Sequence, residues 1–448
     1  MKSSSAERWS IAAMGTVLMM CLGTVYAWSF FQDLLVRGYA QDYRWTNSEI
    51  AWVFSFAIFF LGLSAAAGGV YLKKTGPRKM ALTGGALFSL GHVIAALALR
   101  RGSLLLLILG YGVVGGTGLG LGYVTPVATV SAWFPDRKGL ATGMVVMGFG
   151  LGALLMCKVL APLFLSAASQ DLSSAFLLMG GAFLVLTVGA AMFLRYPPAA
   201  PEASRPQQAH EDAGIVHPAS TRAAVFSLGF LAVWLVFFCN IAAGIAVIAF
   251  QSPLLQELLS RGGTGLPAGA SAAYGATLIA ASSFMNGAGR FFWGAVSDRL
   301  GRAATFRLMM ATEIAACAVI LMVSNPWVFA GMVCWVLFCY GGGFGAMPSL
   351  ISEMAGPRLM ASTYGAVLTA WSAAGIAGPQ IFALIKDAAP GRGLTPAARP
   401  WTLRRPRVLV HQSWRGLKST IPWEARPFPR SPRPLPCSSS SYCLPPGA

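Results

Sequence analysis

The chain has 448 residues, 56% of them apolar, while only 33 Lys/Arg and 15 Asp/Glu carry charge. Soluble domains carry about a quarter charged residues and a membrane span needs about 20 mainly apolar ones, so the composition excludes a soluble globular enzyme and points to an all-α polytopic membrane protein. The net charge of +18 is no nucleic-acid signal, because half of the excess lies in residues 388–448, where ten Lys/Arg face the single acid Glu424.

Apolar runs between polar or Pro/Gly-rich breaks predict helices over residues 10–31, 51–72, 80–99, 103–131, 139–162 and 174–195, which make residues 1–195 an N-terminal lobe. The first run is too long for a secretory signal and lacks a small-residue cleavage site, so it reads as a retained helix. Residues 196–222, with Pro197, Pro198, Pro201, Pro206, Glu202, Glu211 and Asp212, read as a solvated cytoplasmic linker. Five further runs, 223–250, 273–297, 305–323, 327–350 and 362–385, make residues 223–387 a C-terminal lobe. The last segment, 388–448, holds 12 of the 27 prolines and the run Ser438–Ser441 with no stretch able to span, and reads as a disordered tail.

Orientation follows from counting Lys and Arg in alternate loops. With the N-terminus in the cytoplasm, that side collects fifteen and the other side five: Arg37, Arg44, Arg100, Arg101 and Arg261. The expected location is a cell membrane, the plasma membrane, crossed many times. Six of the eight cysteines lie in apolar runs without metal or disulfide spacing, and with histidines only at 92, 210, 217 and 411 neither a metal nor a cofactor is expected.

An internal repeat marks the loops after helices 2 and 8. The first reads Gly69-Val-Tyr-Leu-Lys73-Lys74-Thr-Gly76 and the second Gly294-Ala-Val-Ser-Asp298-Arg299-Leu-Gly301, with glycines seven apart in each. Either loop alone is a tight turn between packed helices; their recurrence at equivalent places is the pattern of a transporter built from parallel halves.

The stretch Gly294 to Arg302 resembles the G-x-x-x-D-R-x-G-R loop signature of the major facilitator superfamily. Three other segments, Gly23-Thr-Val-Tyr26-Ala-Trp28-Ser, Gly118-Leu-Gly-Leu-Gly122-Tyr123-Val-Thr-Pro126 and Trp133-Phe-Pro-Asp136-Arg137-Lys138-Gly-Leu-Ala-Thr-Gly143, narrow the resemblance to the oxalate/formate antiporter family, a neighbour of the monocarboxylate transporters. It covers about residues 9 to 387. The resemblance implies the major facilitator fold: two six-helix lobes, substrate between them near midplane, and alternating access by rocking. The chain departs from it in three ways. No twelfth span follows Asp387, Lys73 stands where the first loop copy carries an acid, and Trp371 stands where the oxalate-handling pattern carries a lysine. An out-of-frame or alternatively spliced end accounts for the Arg/Pro/Ser-rich tail better than a native extracellular domain does.

An ionisable residue at mid-bilayer costs about 2.5–3.5 kcal/mol even on the lenient insertion scale, so each asks for a function or a partner. His92, Lys158, Arg290, Glu313 and Glu353 are the candidates. By resemblance Arg290, one turn after Asn286, is the helix 8 arginine that grips a substrate carboxylate, for which a guanidinium offers a planar fork; the bland alternative is pairing with helix carbonyls or with Glu313. Tyr26, Tyr123, Tyr340 and Trp371 are candidates by resemblance for the cavity wall, although a Tyr or Trp in a span is as often packing or interface belt. Without the helix 11 lysine one positive charge faces the cavity, which matches a monocarboxylate such as formate, pyruvate or lactate better than doubly charged oxalate. Asp298, Arg299 and Arg302 read as a gate; the resemblance implies that the acid is set at the start of helix 5, beside Asp136, Arg137 and Lys138, where the helix N-terminus favours an anion, and Lys73 in the symmetric place is expected to be repelled by the start of helix 11. Lys158 and Glu313 read as coupling groups or as structural and snorkelling residues, and His92 as a packed one.

Secondary transport of a small carboxylate, by anion exchange or proton symport, is therefore expected. The alternative from another class is a non-transporting truncated protein acting as a binding or regulatory subunit. A membrane enzyme finds no nucleophile-elbow or zinc motif in the spans.

Overall fold

Helix starts are written into the chain by residues that satisfy otherwise free N–H groups. Thr46 and Glu49 form a reciprocal capping box. Ser103 accepts from Leu106 N, Asp171 from Ser173 N and Ser174 N, and Asn325, followed by Pro326, from Trp327 N and Val328 N. The computed structural model describes residues 5–38, 45–135, 137–198, 218–261 and 268–387. Among these the chain forms eleven long helices and no strand.

Helix α1 runs over Ser5–Gly23, passes through the 3-10 turn Thr24–Ala27 and continues as Trp28–Gly38. It is followed by α2 (Asn47–Thr75) and α3 (Pro77–Arg101). Helix α4 comprises Leu104–Leu107, a π-helical stretch Ile108–Gly115 and Gly116–Trp133, and α5 comprises Lys138–Leu155, a π turn Met156–Leu160 and Ala161–Ala167. After α6 (Leu172–Ala191) and a short helical turn Thr221–Val225 come α7 (Leu228–Arg261), α8 (Ala268–Leu300), α9 (Arg302–Met322) and α10 (Pro326–Ala355). Helix α11 is broken at Leu368 into Met360–Val367 and Thr369–Asp387.

All eleven sequence-predicted spans fall on these helices. Nine of the described helices are long and apolar enough to cross a membrane; α8, which carries Asn286, Arg290 and several serines, is not among them, and in α11 the side chains of residues 379 and 381–387 lie outside those described. Helix α7 exceeds its apolar run, continuing through Pro253 to Arg261; the Gln251 side chain just beyond that run is buried and accepts a 2.6 Å hydrogen bond from Ser282. The expectations for the tail, for most of the linker and for Asp136 fall on residues 388–448, 199–217 and 136, which lie outside the described residues.

The two halves of the chain meet along two glycine seams. On one side α2 lies against α11: Gly62 sits under Ser372 and the Leu368 carbonyl, Gly365 sits on Ala65, and Ser372 Oγ donates to the Phe59 carbonyl at 2.7 Å. On the other α5 lies against α8: a Cβ on Gly150 would come within 2.6 Å of Gly287 Cα, and Ser283 Oγ donates to the Gly150 carbonyl at 2.6 Å. Small residues let membrane helices approach backbone to backbone. The repeat has a structural counterpart here. Gly76 and Gly301 both take φ of 78–79°, with ψ of 157° and 153°, a conformation open only to glycine. Both Gly69 and Gly294 face a helix of the opposite half, at the Ala361 carbonyl and the Gly139 carbonyl respectively.

Candidate functional site

Arg290 is fully buried where the halves meet. Being one turn apart on α8, Asn286 and Arg290 share a face, and Arg290 Nε donates to Asn286 Oδ1 at 3.0 Å. Its other contacts are longer: Nη1 donates to the Val146 carbonyl (3.3 Å) and to Tyr123 Oη (3.5 Å), and Nη2 to Tyr26 Oη (3.4 Å). Among the described residues none of these partners is an acid, so the expected alternative of an Arg290–Glu313 pair is not present. The guanidinium is instead flanked by the rings of Phe149 and Phe344, with Cζ 5.3 and 4.6 Å from their centroids. Aromatic faces attract a cation without neutralising it. The charge is held without an acid partner among the described residues.

Five other sequence-predicted residues gather around it from both halves: Tyr26 (α1), Tyr123 (α4), Asn286 (α8), Tyr340 (α10) and Trp371 (α11), all buried. The hydroxyls of Tyr26 and Tyr340 hydrogen-bond across the halves at 2.5 Å. Trp371 packs edge-on to Phe344 with centroids 4.4 Å apart and to Tyr123 at 5.3 Å, and its buried indole N–H has no partner. Beside Tyr26 and Asn286 lies a small cavity that also touches Gln251, Ser282 and Ser283, of about 10 Å³, enough for about one water. A cavity of that size holds no carboxylate.

Sequence reasoning missed three members of this cluster, Phe149, Phe344 and Tyr364. The last is fully buried on α11 and interacts electrostatically with Tyr123 and Arg290. The two phenylalanines did carry a signal. Each sits inside a glycine run, Gly148-Phe149-Gly150 and Gly343-Phe344-Gly345, where missing side chains let one ring reach across, and Gly345 presses on the Arg290 carbonyl.

The expected gate lies apart from Arg290, at the end of the bundle that carries Lys73. The Asp298 carboxylate abuts Gly139 in the first turn of α5, so that a Cβ there would sit 2.5–2.6 Å from its oxygens. Arg302 Nη1 pairs with Asp298 at 2.7 Å and Nη2 with Glu353 at 2.9 Å. Arg299 is exposed, and the side chain of Lys138 is not among those described. Two expectations need correction here. Glu353 is not deep: its side chain is 60% exposed and ends in the pair with Arg302. Lys158 lies on the protein surface in the π turn of α5, with Nζ donating to Thr277 Oγ1 at 3.0 Å. Lys73 is not repelled by the start of α11, because its Nζ donates to the Arg358 carbonyl in the preceding turn. A carbonyl ahead of the helix offers the cation an acceptor that the N–H-rich first turn does not.

His92 is a packed residue, its Nδ1 3.0 Å from the Phe88 carbonyl and its ring among Phe88, Tyr111, Phe176 and Phe183. Among the described residues no group of three or more His, Cys, Asp or Glu is placed to hold a metal.

The family profile described as Major Facilitator Superfamily matches residues 9–379. Among similar curated proteins are the apicoplast pyruvate carrier 1 of Toxoplasma gondii, 26% identical with 80% of each chain covered, and the oxalate:formate antiporter of Oxalobacter formigenes, 25% identical with 85% of each covered. A solved structure of a bacterial homologue of the human lysosomal transporter Spinster shares the fold, with a TM-score of 0.59, 17% identity, and 86% of this chain and 84% of that one covered.

Proposed function

The chain belongs to the Major Facilitator Superfamily, and from that premise we propose that it is a secondary active transporter of small monocarboxylates of the formate, pyruvate and lactate type. It is an integral membrane protein of many spans and not an enzyme. The observation that carries the substrate reading is Arg290, the only Lys or Arg among the described residues that is fully buried, lying between the halves with no acid partner. A pyruvate carrier and an oxalate:formate antiporter among the similar proteins support the same class.

In this reading the substrate carboxylate replaces the long contacts from Arg290 to Tyr26 and Tyr123 with a forked, charge-assisted pair. Asn286 fixes the guanidinium plane through Nε, Trp371 supplies a free donor, and the phenylalanine rings exclude water. Binding has to part the Tyr26–Tyr340 hydrogen bond, which ties the occupancy of the site to the separation of the halves. Rocking about the glycine seams exposes Arg290 to each side in turn, by anion exchange or with a coupled proton. The Asp298–α5 and Lys73–Arg358 contacts close one side, which in this reading is the cytoplasmic one, following the Lys/Arg bias of the loops, in the plasma membrane.

The test is uptake of radiolabelled formate, pyruvate, lactate and oxalate into proteoliposomes, with lactamide as the uncharged competitor. Saturable uptake of the monocarboxylates, unaffected by lactamide, is expected. Uptake that favours oxalate, inhibition by lactamide equal to that by lactate, or no uptake at all refutes the reading.

A further inference from the structure

Among the described residues one acid, Glu313 on α9, is buried, as Arg290 is the one buried Lys or Arg; Glu313 is 3% exposed and Asn240 on α7, its partner, 0%. Asn240 Nδ2 donates to Glu313 Oε2 at 2.9 Å and also to the Cys339 carbonyl of α10 at 3.3 Å. Glu313 Oε1 and Asn240 Oδ1 are both buried and both without a hydrogen-bond partner, and Oδ1 lies against Gly343 of α10. The groups that face the carboxyl are Asn240 from α7, the Cys339 thiol from α10, which meets Thr312 Oγ1 at 3.6 Å, and Cys317 from α9 itself. None is a cation.

A carboxylate and an amide oxygen are both acceptors and cannot satisfy each other. One proton added to the carboxyl supplies the missing donor and allows an acid–amide pair with hydrogen bonds in both directions. An ionised carboxylate in an apolar interior without a cation is costly, so such a site favours taking a proton or finding a counter-charge.

We propose that Glu313, paired with Asn240, is a proton-binding site that couples proton movement to substrate movement in this chain. The coupling part rests on the transport reading above. The charge count gives it a mechanism. With a monocarboxylate on Arg290 and a proton on Glu313, the buried charges of the loaded carrier sum to zero. Without substrate, a deprotonated Glu313 balances Arg290, and the sum is again zero. Substrate with Glu313 ionised, or no substrate with Glu313 protonated, leaves one net charge inside the bilayer, which disfavours crossing in either mismatched state. In the step itself an O–H bond forms on Glu313 with a proton from water on one side, and breaks to release that proton to water on the other.

The path to the site is short and runs through α10. Asn240 bonds to the carbonyl of Cys339, and the next residue, Tyr340, holds Tyr26 across the halves. Gly244, one turn beyond Asn240 on α7, packs directly on the Tyr340 ring. Losing the proton therefore changes the hydrogen bonding among α7, α9 and α10 directly behind the residue that closes over the substrate.

Glu313→Gln is the test, because its carboxamide can donate and accept against Asn240 as a protonated acid does, yet it cannot release a proton. In proteoliposomes, pyruvate-for-pyruvate exchange, which moves no net proton, is expected at the wild-type rate in the variant. Accumulation driven by an imposed pH gradient is expected in the wild type and lost in Glu313→Gln. Gradient-driven accumulation that survives in the variant, or is absent from a wild type that exchanges pyruvate, overturns the coupling while leaving the transport reading intact. Absence of exchange from both refutes transport and coupling together. Infrared spectroscopy of the purified wild type decides the proton site independently: a protonated-carboxyl stretch that shifts in D₂O and disappears in Glu313→Gln is expected, and its absence at every pH at which the protein stays folded overturns the assignment.

Discussion

Replacing Arg290 by Met or Lys separates binding from folding. Arg290 makes one short hydrogen bond, to Asn286 at 3.0 Å, and three of 3.3–3.5 Å, none to an acid. The fold therefore loses little with the charge, and removing a buried charge that lacks a counter-ion also removes its desolvation cost. The Arg290→Met protein is expected to insert and melt at or above the wild-type temperature. Binding behaves in the opposite way. A substrate carboxylate left buried without its cation loses about 2–5 kcal/mol, which at about 1.4 kcal/mol per tenfold is a factor of about thirty to several thousand in Kd. Lysine keeps the charge but not the fork; forfeiting one charge-assisted hydrogen bond of about 1.5–3 kcal/mol weakens binding about 10- to 150-fold. Counterflow in proteoliposomes gives the half-saturating concentration, and intrinsic fluorescence during heating gives the melting temperature. A methionine variant that transports with unchanged half-saturation, or a lysine variant indistinguishable from arginine, refutes the assignment of Arg290 as the carboxylate site.

Other consequences can be checked in the same preparations. Gly150→Val drives a branched side chain into the Gly287 backbone, an overpacking of about 1–3 kcal/mol placed on the α5–α8 seam; exchange should slow while the protein stays folded, and a wild-type exchange rate would show that the seam need not close. Asp298→Ala removes both the contact with the start of α5 and the pair with Arg302, whereas Lys73→Ala removes a hydrogen bond to a carbonyl; the larger loss of uptake is expected from Asp298→Ala, and equal losses would contradict this asymmetry. Asp171→Ala deletes the cap of α6 at a cost of about 1 kcal/mol. The Ser174 hydroxyl first, then the backbone N–H groups of Ser174 and Ser173, hold the Asp171 carboxyl below its ordinary value, so the stability it adds is full above the unfolded carboxylate pKa of about 4 and is lost as pH falls through the lower, folded value. The difference in melting temperature between wild type and variant should thus be constant near neutrality and shrink in acid.

Spans are legible in this sequence because a lipid-facing helix must be apolar over its whole length, so polar loops interrupt the pattern clearly. The Asn286–Arg290 pair was legible for a related reason: a charge inside such a run needs a partner, and helical spacing puts Asn286 beside it. Depth was less legible. Glu353 lies in a helical run like the rest, yet it sits near the end of α10, where Arg302 meets it. Phe149, Phe344 and Tyr364 come from three helices that only the tertiary fold brings to one guanidinium, and phenylalanine is too common in spans to signal a site by itself. Lys73 was misread because charge was weighed against the helix start without the carbonyl that precedes it.

Helix α9 is the least covered by protein of the nine apolar spans, and yet it carries Glu313 inward against Asn240. Its 21 residues rise about 31 Å at 1.5 Å each, close to the hydrocarbon thickness of about 30 Å. With less of its surface packed against described protein than any other of the nine, its tilt is expected to answer to the bilayer more than theirs. A thinner membrane tilts it and a thicker one draws it upright, and either motion pulls on the acid–amide contact from the lipid side. Membrane thickness thereby becomes an input to the same device that the site governs from within.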